Sequence, residues 1–375
     1  MRGLAALIVL LEHWRNFLFV DYSQLPAHRL WFALPYLLTS AGHQAVVIFF
    51  VMSGYLISGS VFRMLERGTW SWITYLVHRL MRLWVVLLPG LLLCALWDAI
   101  GLHLHLAPAL YGGAAFNHMT PAVQTVHTLK TFLLNLFFLQ GIKSPMFGSD
   151  GALWSLANEF WYYILFPLGL LAVYRPSKQA ATPIARGVCA ILFLALAWFL
   201  RHGILQSFPI WLAGTLLCIM PAPRLSSRVR LLAATSYVPI LFFLAKARFL
   251  SGLTSDYVLT VATFFLLWIL LSATEAVRPS LGERTSRELA RFSYTLYVVH
   301  MPLLVLVTAL IVGDRRWVPN LPHVLEAVAV LILALAYAYG VAVLTEFRTD
   351  IWRRWVEARL GLNARQDTST AVSRT

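Results

Sequence analysis

Four short clusters of polar residues interrupt otherwise apolar sequence, and each has the residue types for chemistry. The first pairs Arg2 with His13 across Gly3–Glu12. Their spacing of eleven residues is close to three helical turns. On a helix they share a face, about 16 Å apart along the axis. A long anionic cofactor laid on that face has phosphates at Arg2 and its reactive end at His13. The plain alternative is a structural histidine and a topology charge.

The second cluster is His78-Arg79-Leu80-Met81-Arg82. Arg79 and Arg82 are i,i+3 neighbours. Guanidinium pairs suit phosphates through bidentate, charge-assisted bonds, although basic residues also flank membrane spans for topology alone. The third runs from Trp154 to Tyr163, where Ser155, Glu159 and Tyr162 follow i, i+4, i+7 spacing and make a polar stripe. The fourth runs from Phe292 to Pro302, with Ser293, Tyr297 and His300 on one face at the same spacing. If that helix rises from the cytoplasm, His300 lies about 12 Å deep, near the depth of His13. Ionisable side chains inside a membrane are costly and mark function by default.

The elements that position these clusters follow from composition. Of 375 residues, 59% are hydrophobic and 12% charged, with a mean hydropathy of +0.72. One soluble core cannot hide that much apolar surface, so soluble enzymes, disordered tails and fibrous proteins are excluded. The net charge of +14 reads first as basic cytoplasmic loops. No basic aromatic stripe lies outside the apolar runs, so nucleic acid is not an expected partner.

A crossing helix needs about 20 mostly apolar residues. Candidate spans lie at 3–20, 44–62, 83–101, 153–173, 187–200, 203–220, 231–246, 257–274, 292–312 and 323–345, with a shorter segment at 127–141. If the N-terminus is cytoplasmic and 127–141 does not cross, most of the 30 Lys and Arg fall on the cytoplasmic side. If it does cross, every later basic loop inverts. The expectation is therefore an all-α membrane bundle of about ten transmembrane helices, with both termini cytoplasmic and 127–141 re-entrant or interfacial. Residues 1–345 form the membrane-embedded domain and 346–375 a basic cytoplasmic tail, partly disordered. Leu4–Leu11 resembles a signal-peptide core, but no cleavage site follows, and it reads as a retained helix. No stretch remains here for an appended soluble catalytic domain.

Weaker features have plain readings. Cys94, Cys189 and Cys218 lie in apolar runs without pair spacing, so neither disulfides nor a zinc site is expected. His103, His105, His118 and His127 lack carboxylate or cysteine partners at ligand spacing, and no metal site is expected. His43 stands at the start of the second span, where it can face the same cavity. Asp98 and Glu326 read as solvated residues near span ends. Gly54, within Phe49–Ile57, suits close helix packing.

Together these pieces resemble the acyltransferase 3 family of integral-membrane O-acyltransferases, which modify bacterial surface glycans, lipids and secondary metabolites. The matching runs are R-G-L-A-A-L leading to His13, F-F-V-M-S-G-Y-L-I at 49–57, R-L-M-R at 79–82, W-S-L-A-N-E at 154–159 and F-S-Y-T-L-Y-V-V-H-M-P at 292–302, in the family's order. Members usually carry a short lead before the first motif, which here stands at Met1-Arg2. Glu12 occupies a position where an apolar residue is common.

The resemblance implies a bacterial inner (cytoplasmic) membrane enzyme. It implies acetyl-CoA or another acyl-CoA as co-substrate, and no permanently bound cofactor. The acceptor it implies is a hydroxyl of an envelope glycan, lipid or secondary metabolite. Arg2, Arg79 and Arg82 hold donor phosphates in this expectation, and His13 is the general base. Glu159 orients or charge-balances His13, and Tyr297 and His300 bind the thioester or stabilise the oxyanion. Trp154, Ser155, Tyr162 and Ser293 are expected to contact substrate. The rival reading is a proton-coupled transporter or a flippase of an envelope-glycan pathway, against which no inverted repeat is visible.

Overall fold

The computed structural model describes residues 1–26, 29–113, 122–176, 178, 181–201, 203–246, 252–272 and 281–362. The fold is all-helical, 79% helix, with no strand among the described residues. Four helices open it: α1 (Arg2–Leu18), α2 (Arg29–Leu38), α3 (Gly42–Arg67) and α4 (Trp72–His103). Short helices α5 (Pro108–Tyr111), α6 (Val123–Val126) and α7 (Leu129–Leu136) lead into α8 (Trp154–Val173). Then come α9 (Pro183–Phe199), α10 (Ile204–Ile219), α11 (Ser227–Lys246) and α12 (Gly252–Leu270). The chain closes with α13 (Leu281–Arg291), α14 (Ser293–Ile311), α15 (Leu321–Leu344) and α16 (Thr349–Arg359).

Long apolar runs favour helix because each backbone group is satisfied within its own segment, the condition for crossing lipid. Local signals set the starts. Ser71, Thr128, Thr182 and Asn320 cap α4, α7, α9 and α15, their side chains accepting from backbone N–H groups of the first turn.

Seven helical segments among the described residues are long and apolar enough to cross a bilayer. Helices α1, α9 and α10 stand where three further spans are expected. At 17, 17 and 16 residues they reach only about 25 Å, short of the roughly 30 Å hydrocarbon core.

The 127–141 segment folds as the eight-residue α7 followed by turns, with Phe138 at φ 58°. The backbone it exposes is met by side chains. Trp84 donates to the Leu136 carbonyl at 2.9 Å and Trp161 to that of Phe138 at 2.8 Å, while the segment's own Gln140 side chain donates to the Leu153 carbonyl at 2.9 Å. Irregular backbone survives at membrane depth only when buried in protein this way.

Two packing clusters share the bundle. The larger joins α1, α14 and α15 with the first half of α3; the smaller joins α4, α8 and α10 with its second half. Helix α14 is the hub, buried along most of its length and packed on α1, α4 and α15. The α3–α10 contact is backbone to backbone: a Cβ on Gly54 would stand 1.9 Å from the Trp211 carbonyl oxygen, and one on Gly214 1.9 Å from that of Val51. Small residues permit that approach.

Order continues past the expected boundary at 345. Glu346 accepts from the Thr295 N–H at 2.9 Å and its hydroxyl at 2.8 Å, at the start of α14. Helix α16 packs on α4, where Glu357 pairs with His78. The first part of the expected tail is thus folded onto the bundle, because its carboxylates satisfy groups there. Residues 363–375, like His118 and His202, lie outside the described residues.

Candidate active site

Helix α1 starts beside the end of α13. A Cβ on Gly3 would stand 2.5 Å from the Ala290 nitrogen, so only glycine lets Arg2 sit this close to the base of α14. Arg79 and Arg82 project one turn apart from α4. These three guanidinium groups line one cavity of about 370 Å³. Its remaining walls come from α3, α8 and α14, and include Ser53, Ser60, Ser155, Glu159, Tyr163, Ser293, Tyr294 and Tyr297. The expected phosphate-binding arginines therefore converge, together with Tyr297, Ser155 and Ser293.

The cavity is wired by hydrogen bonds. Arg79 donates through Nη2 to Ser60 Oγ at 2.7 Å and lies over the rings of Tyr75 and Tyr163, at 5.3 and 5.8 Å. Among the described residues its Nε–H is buried without a partner, a donor group costly to leave unmatched. Glu159 accepts from Ser53 at 3.1 Å and from the Tyr163 hydroxyl. Trp211 in turn donates to Ser53 at 3.2 Å. The Tyr297 hydroxyl donates to the Ala152 carbonyl at 3.0 Å and accepts from Ser155, 2.6 Å away. Ser293 donates to the Ala290 carbonyl at 3.1 Å.

Behind Tyr297, whose ring stands 6.1 Å from that of His300, two imidazoles stack. His13 and His300 have ring centroids 5.1 Å apart and planes inclined by 11°, with His13 Nδ1 2.8 Å from His300 Nε2. His300 Nδ1 lies 2.9 Å from the carbonyl oxygens of Leu296 and Tyr297. Carbonyls only accept, so Nδ1 of His300 carries its proton and Nε2 its lone pair. Toward a neutral His300, His13 donates from Nδ1, and a neutral His13 then carries its lone pair on Nε2. In that tautomer Nε2 is the nitrogen able to take up a proton, and the second ring favours it.

Three expectations are corrected. Glu159 bonds Ser53 and Tyr163 on the arginine cavity, and the contact seen at His13 is with His300. Tyr162 is 0% exposed and its hydroxyl donates to the Ile204 carbonyl, so it packs α8 on α10 and does not line the cavity. On an α-helix, steps of four carry the face round by about 40°; Ser155, Glu159 and Tyr163 follow that drift, whereas Tyr162 falls behind it. Asp98, expected in solvent, is 0% exposed and accepts from the Ser149 N–H at 2.7 Å and from Cys94. The loop after α7 folds over it.

Trp154 stands elsewhere. Its ring stacks with His43, 6.2 Å away at 21°, and meets Phe50 edge-on. His43 bonds Asp256 at 2.8 Å, and its backbone N–H donates to Glu12 at 3.2 Å. This second polar cluster adjoins His13 through Glu12, the residue before it.

Sequence reasoning missed Ser53, Ser60, Tyr163 and Tyr294. Ser53 and Ser60 recur at i, i+7 on α3, a signal hidden among the small residues of that helix. It also missed Asp150, just before α8, whose carboxyl is held well above the usual range by burial.

A family model described as an acyltransferase domain matches residues 1–344. The chain belongs to the acyltransferase 3 family. The family is described by its acyltransferase domain, and the apolar helices of this chain agree with an integral membrane protein. Among curated proteins it resembles an uncharacterized protein of Haemophilus influenzae, with 26% identity over 137 residues. The match covers 35% of this chain and 51% of the relative, so the chain spans about half the length of the curated relative it matches. No solved structure matches this acyltransferase 3 chain.

Proposed function

We propose that the protein transfers an acyl group, acetyl in the simplest case, from cytoplasmic acyl-CoA to a hydroxyl of an envelope glycan, lipid or secondary metabolite. The observation that carries this reading is the shared cavity of Arg2, Arg79 and Arg82, whose Tyr297 wall backs onto the His13–His300 pair. A phosphate-bearing thioester matches that layout: anionic groups on the guanidiniums, reactive carbon towards the imidazoles. His13 Nε2 takes the acceptor proton while the hydroxyl oxygen attacks the thioester carbon, and the thiolate of CoA leaves. His300 acts as a positioning residue, holding His13 in the basic tautomer as the third member does in hydrolytic triads. Glu159 balances the guanidinium charge. Trp154, His43 and Asp256 are assigned to the acceptor side, above His13.

In this reading α1, α9 and α10 complete ten crossings in the bacterial inner membrane, with both termini in the cytoplasm. The arginine end of the cavity then faces the cytoplasm, where acyl-CoA is made. The test is incubation of purified protein in nanodiscs with acetyl-labelled acetyl-CoA, with mass spectrometry of glycans and lipids from cells with and without the gene. Label transfer and a gene-dependent acetyl mass difference are expected; neither appearing would overturn the reading.

A further inference from the structure

A second cavity, of about 830 Å³, lies against the first, and Leu56 belongs to the walls of both. It sits where α3, α8 and α10 end, at the arginine end of the bundle. Its chemistry differs from an ordinary lipid-facing groove. Phe62 and Tyr174 meet edge to face, ring centroids 6.1 Å apart. Arg63 and Glu66 stand exposed on α3 at its rim. Among the described residues Arg63 makes no ion pair, although Glu66 is one turn away. Lys178 packs beside Gly68, 3.5 Å from where a Cβ would be, and Arg67 and Arg175 follow in the adjoining segments, so the surroundings are positive.

The two cavities are tied through α3. Ser60 holds Arg79 in the first at 2.7 Å, and Arg63 follows about 4.5 Å further along the helix axis. An acyl-CoA has two separate anionic regions, the diphosphate joining pantetheine to adenosine and the ribose 3′-phosphate. The first cavity, about 370 Å³, is at the small end of ligand pockets and is smaller than a whole acyl-CoA, so part of such a donor has to lie beyond it, past Leu56.

We propose that the second cavity receives the adenosine 3′-phosphate end of the donor, with Arg63 on the 3′-phosphate, Phe62 and Tyr174 beside the adenine, and Glu66 accepting from its amino group. This inference rests on the acyl-CoA reading of the first cavity. Guanidinium, aromatic wall and carboxylate in one recess fit a purine nucleotide, whereas a lipid phosphate uses only the first.

The test compares acetyl-CoA with acetyl-3′-dephospho-CoA as donors, for wild type and Arg63→Gln in phosphatidylcholine nanodiscs. Wild type is expected to favour acetyl-CoA by about tenfold in KM, the scale of one charge-assisted contact, and Arg63→Gln to lose the preference. Turnover without a preference, or a preference that survives Arg63→Gln, overturns the inference and leaves the donor reading standing. Absence of turnover with acetyl-CoA strikes the donor reading. Calorimetry with adenosine 3′,5′-bisphosphate then decides separately: binding about tenfold weaker in Arg63→Gln supports the nucleotide site, and equal binding overturns it. If phosphatidylglycerol nanodiscs abolish bisphosphate binding by wild type, the cavity belongs to a lipid phosphate and the proposal falls.

Discussion

His13 donates from Nδ1 to Nε2 of His300 across 2.8 Å, and His300 is itself locked by two backbone carbonyls. A histidine thereby stands where hydrolytic triads place a carboxylate. His300 is 1% exposed, and a neutral ring avoids the cost of burying a charge there. The expected result for His300→Ala is a fall in kcat of about 10²–10⁴-fold, the range of general-base contributions, with KM for acetyl-CoA unchanged. His300→Gln, which offers an amide oxygen to His13 Nδ1, recovers part of it. Steady-state kinetics on both variants check this, and equal activities would count against a positioning role.

Arg82 lines the arginine cavity from α4. Arg82→Glu reverses charge beside the proposed phosphates and is expected to raise KM for acetyl-CoA steeply, by about a hundredfold. An unchanged KM would remove Arg82 from the donor site.

Glu159 bonds Ser53 and Tyr163, so its neutralisation should act on donor binding. In Glu159→Gln, KM for acetyl-CoA is expected to change while the pH profile of kcat stays in place. A shifted kcat profile would instead restore Glu159 as the partner of His13.

These predictions separate what the sequence made legible from what it did not. Ser155, Ser293 and Tyr297 were readable because helical periodicity puts each on a polar face within an apolar span, and Arg2, Arg79 and Arg82 because they stand as basic residues at the edge of one. Pairings between helices were not. Whether Glu159 meets His13 or the arginines depends on how α8 is shifted against α1, and the Gly54–Gly214 and Gly3–Ala290 contacts that help set such offsets are tertiary. Tyr162 and Tyr163 are equally aromatic neighbours and both are buried; the packing of α10 on Tyr162 leaves Tyr163 to line the cavity. Asp98 was unreadable for a related reason: the loop that buries it arrives from residues 147–149.

The Asp150 carboxyl is raised by burial, so the fold favours its protonated form. The linked stability is full at low pH and is lost as pH rises through the raised value. Asp150→Asn removes that loss and keeps an oxygen able to accept from Ala152. Its melting temperature is expected to exceed that of wild type at pH 8, with the difference shrinking at pH 5. A constant difference across that range would show that Asp150 does not titrate differently in the folded state.

Gly54→Val places branched carbons where the Trp211 carbonyl already stands 1.9 Å from a Cβ. Overpacking of this kind costs about 1–3 kcal/mol or more, and thermal-shift and insertion assays should both register it. Normal insertion and melting would show that α3 and α10 do not touch there.

The central claim is that His13 is the base of an acyl transfer, and His13→Ala tests it most directly. Acetyl transfer from labelled acetyl-CoA is measured in membranes alongside the amount of inserted protein. The predicted result is normal insertion with the transfer rate reduced about 10³-fold or more; wild-type rates at normal insertion would contradict the account.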